Sequence, residues 1–70
     1  MRGGTEYERI RLALEEAGVD GPLTASEIVD VLAEEGVDID SPHRVATVLG
    51  RHARRGNVEV LDGQPYRYQV

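Results

Sequence analysis

SPHRVATVLGRHARRG, residues 41–56, followed by NVEVLDGQPYRYQV, residues 57–70, holds the change of apolar period that decides the fold. In the first part Ser41 stands where a helix N-cap is wanted. Pro42 follows at the first helical position, where a missing N–H costs nothing. Val45, Val48, Leu49 and His52 then recur at helical spacing, and Gly56 supplies a left-handed stop. This pattern predicts a helix over residues 41–55. In the second part the period is two. Val58 and Val60 alternate with Asn57 and Glu59, and Tyr66, Tyr68 and Val70 alternate with Arg67 and Gln69. Asp62-Gly63-Gln64-Pro65 between them reads as a turn, so the segment is a two-stranded hairpin. An isolated hairpin is marginal in water, so Val58, Val60, Tyr66 and Tyr68 are expected to bury one face against helices.

Two more helices precede this stretch. Thr5 with Glu8 three residues on has the form of a capping box, and Tyr7, Ile10, Ala13, Leu14 and Ala17 follow as a stripe up to Gly18. Thr24 with Glu27 repeats the signal, followed by Ile28, Val31 and Leu32 and the stop at Gly36. Gly21-Pro22-Leu23 cannot be helical through its proline and suits a one- or two-residue strand along the hairpin edge. The short connection from Gly36 to Asp40 forces the second and third helices to cross steeply, with Val37 and Ile39 tucked into the core. The expected fold is α+β, one domain over residues 1–70, in the order helix, short strand, helix, helix, strand, strand.

Seventy residues suffice for one domain and leave it a thin margin of stability. There is no cysteine, which excludes disulfides and thiolate metal sites. No apolar run is long enough to span a bilayer. Met1-Arg2-Gly3-Gly4-Thr5 leads into a charged helix and has no apolar core segment of a signal peptide; the expected compartment is the cytoplasm.

Thirteen acids stand against eight bases, a net charge of −5, and every base is arginine. An acid-rich chain without lysine or cysteine resembles the proteins of salt-loving archaea, whose surface carboxylates hold water in concentrated salt. The distribution matters more than the total. Residues 1–40 carry three arginines against eleven acids, net −8, and residues 41–70 carry five arginines against Glu59 and Asp62, net +3. A chain split this way points toward a polyanion on its basic side.

On a helical wheel the third helix gathers Arg44, Thr47, Arg51, Arg54 and Arg55 on one side with His43 at its edge. Ala46, Gly50 and Ala53 fill the flank. The outer face has four arginines and no acid. That is the steric and electrostatic profile of a helix that enters a major groove, where the guanidinium fork matches phosphate oxygens and the O6/N7 edge of guanine. Thr47 is small enough to touch a thymine methyl or a phosphate. The hairpin of residues 57–70 offers a second contact, in which its tip with Gln64, and Arg67 on its outer face, reach a neighbouring minor groove or phosphate, opposed by Asp62; a hairpin that only closes the core is the equal alternative. The bland reading stands beside this one: Arg54 and Arg55 can simply answer the helix dipole, and a charged outer face can be merely solvated. Chance would place acids on that face in so acidic a chain, which favours the duplex. His52, inside the apolar stripe, reads as a packed, hydrogen-bonded core histidine. Glu15-Glu16 and Glu34-Glu35 read as solvating. There is no nucleophile with a base, phosphate loop or metal signature, so neither an enzyme, a cofactor nor a metal site is expected.

Over nearly its whole length the chain resembles the winged helix-turn-helix superfamily. From Thr24 to Val70 it is similar to the HARE-HTH type and comparable small archaeal proteins. The resemblance rests on Thr24, Glu27-Ile28, Leu32 and Gly36, then Ser41-Pro42, Val45, Leu49 and Gly56, then Tyr66, Tyr68 and Val70. It implies three helices with the carboxy-terminal hairpin as wing. It further implies that the third helix binds double-stranded DNA, with recognition mapped onto Arg44, Thr47, Arg51 and Arg54. A domain this small makes few base contacts, so a homodimer on a palindromic site is the expected assembly. The alternative is a protein-interaction module that docks a partner and leaves DNA alone.

Overall fold

The structure, a computed structural model, describes residues 5–70. Met1 to Gly4, read above as no signal peptide, lie outside that range. The elements are α1 (Glu6–Glu16), β1 (Leu23–Thr24), α2 (Ala25–Glu34), α3 (Pro42–Ala53), β2 (Glu59–Leu61) and β3 (Arg67–Gln69), the order read from the sequence. The chain is thus α+β, with three helices and one antiparallel sheet of order β1-β3-β2, an arrangement compatible with a winged helix.

Local chemistry sets the helix ends. Thr24 accepts from the Glu27 N–H while the Glu27 carboxylate accepts from the Thr24 N–H, a complete capping box. At α1 only half of that motif forms. Thr5 accepts from the Glu8 N–H, but the Glu8 carboxylate is taken by Arg11, one turn on, at 3.1 and 3.2 Å. Ser41 caps α3 through the Arg44 N–H. Each helix closes on a glycine with φ of 75°, 74° or 83°, at Gly18, Gly36 and Gly56. There the next N–H reaches back five residues: Val19 to Leu14, Val37 to Leu32, Asn57 to His52. Only a residue without Cβ takes that left-handed turn freely. The third closure comes slightly earlier than the sequence pattern implies. Arg54 makes the last α-type bond, to Gly50, and Arg55 turns to the His52 carbonyl, so the regular helix ends at Ala53 and both arginines lie in its closing turn.

The core joins Ile10, Ala13 and Leu14 of α1, Ile28 and Leu32 of α2, Val45, Val48 and Leu49 of α3, Ile39 from the connection, and Val58 and Tyr68. No polar or charged residue is buried among the described residues. Ala17, the last residue of the expected α1 stripe, is exposed.

The sheet departs from expectation in one respect. Leu23 and Val60 both pair with Tyr68, and Thr24 and Leu61 both pair with Arg67. Directly opposed residues share a face, so Tyr68 lies with Leu23 and Val60 while Arg67 lies on the other side. Of the four residues expected to be buried, only Val58 and Tyr68 are. Val60 is exposed at the free edge of the sheet, and Tyr66 is 54% exposed nearer the turn. Three apolar side chains of the hairpin are therefore exposed for different reasons: Val60 is level with Tyr68 but on the edge strand, Leu61 is on the other face with Arg67, and Tyr66 lies nearer the turn.

Candidate nucleic-acid interface

Helix α3 buries Val45, Val48 and Leu49 against the rest of the core, and this fixes which side faces out. His43, Arg44, Thr47 and Arg51 are exposed, and Arg54 and Arg55 extend the same positive surface past the helix end. Thr47, Arg51 and Arg54 line a shallow trough of about 370 Å³ together with Ala46 and Gly50. The small residues that the wheel put on a flank therefore border the arginines on one side, where they add little bulk to the surface. A Cβ built on Gly50 meets nothing within 4 Å, so no packing inside the molecule requires glycine there. Glycine in a helix interior is less favourable than alanine by about 1 kcal/mol. Gly50→Ala is therefore expected to stabilise the chain by roughly 0.5–1 kcal/mol, seen as a higher midpoint in a thermal melt followed by circular dichroism. A lower midpoint would show that the glycine serves the fold after all.

The hydrogen bonds refine the individual roles. The Thr47 hydroxyl donates to the His43 carbonyl at 2.9 Å. Its proton is committed within the helix, which leaves its methyl and oxygen lone pairs for a partner and favours a thymine methyl over a phosphate. Arg44 Nε donates to the Glu6 carboxylate of α1, so this arginine has a partner from the acidic half of the chain. Among the described residues, Arg51, Arg54, Arg55 and Arg67 make no ion pair. Arg11 is neutralised on its own helix, its pKa raised by the hydrogen bond and charge of Glu8.

A larger open cleft of about 850 Å³ lies between α3 and the hairpin turn. The starts of two helices border it, at Thr24 to Ser26 and at Pro42 to His43, with Gln64, Pro65, Tyr66 and Tyr68 across from them. The first N–H groups of each helix lack intrahelical acceptors. Asp62 also borders the cleft and works against an anion there. His43 and Gln64 thus meet around one opening, whereas Arg67 sits on the opposite face of β3, beside Leu61 and Thr24. His52 is half-buried and stacks on Tyr7 of α1, ring centroids 3.9 Å apart and planes 13° from parallel. Its Nδ1 is buried without a hydrogen-bond partner among the described residues. The stripe implied a hydrogen-bonded core histidine; the ring instead lies half-buried beside the core, held by stacking and not by a hydrogen bond through Nδ1. Two of these features, the Glu6 contact and the Tyr7 partner, leave no mark in the residue pattern, because each joins helices whose spacing says nothing of one another.

No three histidine, aspartate or glutamate side chains among the described residues gather as a metal site requires, and no helix among them is long and apolar enough to cross a membrane. Fold and surface together define a small α+β protein with a cationic, acid-free helix face. No protein-family model matches the chain, and no curated protein or solved structure matches it.

Proposed function

We propose that the chain is a winged helix-turn-helix DNA-binding regulator, acting as a homodimer, whose helix α3 enters the major groove. The observation that carries this reading is the exposed pair Arg51 and Arg54 lining one trough with Ala46, Thr47 and Gly50 and no acid, in a chain of net charge −5. Guanidinium groups without internal partners are available to phosphate and to guanine. The glycine beside them, which no internal packing requires, suits close approach by a duplex. A phosphodiester strand then crosses the cleft between α3 and the hairpin, with His43 and Gln64 on either bank. Two copies on a palindrome multiply the few base contacts that one domain offers.

A second reading, a protein-docking module, draws support from the uncovered Val60, Leu61 and Tyr66 of the hairpin. An NMR titration with duplex DNA at several salt concentrations separates the two. The regulator reading expects shifts confined to residues 43–55 and 62–67, and affinity that falls steeply as salt rises, because phosphate contacts release counterions. Shifts centred on α1, or affinity indifferent to salt, would overturn it. The titration is run where circular dichroism shows the chain folded, including molar salt.

A further inference from the structure

We infer that Glu6 is an internal competitor of DNA, a carboxylate that occupies Arg44 and holds it back from the duplex until a phosphate or base edge displaces it. The inference rests on the DNA-binding reading of α3 and adds a gate to it. Glu6 and Arg44 are 38 residues apart in the chain, yet the folding of α1 against α3 brings the Glu6 Oε2 to the Arg44 Nε. The pair is open to solvent, the Arg44 side chain 62% exposed and that of Glu6 34%. It lies in a shallow cleft shared with Ser41, His43, Thr47 and Arg51, and Glu6 is the one acid among the residues lining it. Arg44 stands in the first turn of α3, the part of a recognition helix that goes deepest into the groove.

Two effects follow from this placement. The carboxylate repels a phosphate approaching His43 and Arg51, and it engages the guanidinium that would receive one. An exposed ion pair in water is weak and screened by salt, so a polyanion can open it; Glu6 tunes affinity and does not block binding. The competition also takes counterions. When Arg44 leaves for DNA, the freed Glu6 carboxylate recruits a cation from solution, which offsets one of the cations that the duplex releases.

The test is fluorescence anisotropy of a labelled duplex with the whole chain, comparing wild type, Glu6→Gln, Arg44→Gln and the double variant across salt concentrations. Glu6→Gln is expected to bind roughly three- to tenfold more tightly at low salt. Its log–log salt dependence should be steeper by about one unit. The gain should vanish in the Arg44→Gln background, which ties it to this pair and not to the net charge. Amide spectra of each variant verify the fold. If wild type binds and Glu6→Gln binds equally or less tightly, the gate is refuted, and weaker binding would make Glu6 a residue that positions Arg44 for the groove. A gain that persists in the double variant would also refute it, leaving only a general charge effect. If none of the four proteins binds duplex DNA, the regulator reading fails and the gate with it.

Discussion

Leu49→Ala is expected to cost about 2–5 kcal/mol of folding stability, whereas Leu12→Ala, the same chemical change on α1, should stay within about 0.5 kcal/mol. Leu49 is fully buried on the inner side of α3, while Leu12 is 47% exposed. Truncating the first removes transfer energy and leaves a cavity; truncating the second removes atoms already half in water. The consequence is large because the chain is small. At 70 residues a stability of roughly 4–10 kcal/mol is the usual range, so one core truncation can remove half of it. In a domain of this size each kcal/mol moves the thermal midpoint by about 4–8 °C, so Leu49→Ala should melt at least roughly 8 °C lower. Thermal and urea unfolding followed by circular dichroism measure both variants. Similar losses for the two leucines would show that the core does not run through the inner face of α3, and the orientation of its outer face would lose its basis.

That orientation was legible in the sequence because one helix carries two incompatible patterns. Val45, Val48 and Leu49 must leave water, and the arginines must not, so a single rotation about the axis satisfies both. The helix ends were legible too, since Thr24 with Glu27, Pro42 after Ser41, and the three glycines each act within a few residues of themselves. The hairpin was legible only in part. A period of two tells which residues share a face, and Tyr68 and Val60 do share one. It does not tell how far the helices reach across or along that face, which is why Val60 on the edge strand and Tyr66 near the turn stand in solvent. The least legible features join distant segments. Glu6 lies on Arg44 and Tyr7 on His52 because α1 packs beside α3, and neither helix carries the other's register in its own spacing. The candidate interface was therefore readable as a face of one helix, and its internal competitor was not.

Arg51→Glu is expected to weaken duplex binding roughly a hundredfold or more, with the fold unchanged. Removing an arginine that reads a base edge costs about 1–3 kcal/mol, close to 5- to 150-fold at about 1.4 kcal/mol per tenfold. Reversing the charge adds repulsion between the new carboxylate and the phosphates. Arg51 is the position at which this change is cleanest. It is exposed, has no ion-pair partner among the described residues, and lines both shallow troughs on α3, with Thr47 beside it in each. The substitution breaks no internal contact, and a glutamate is a good helix former. Net charge must be controlled, because any added acid repels DNA at long range in low salt. Arg9→Glu on the exposed side of α1 makes the identical change in charge away from α3 and serves as that control. Anisotropy titrations in matched salt should give a modest loss for Arg9→Glu and the large loss for Arg51→Glu. The salt dependence should flatten for the second alone, since it deletes a counterion-releasing contact. Equal losses at the two positions would mean that the chain feels DNA only through its overall charge, and the picture of α3 seated in a groove would have to be given up.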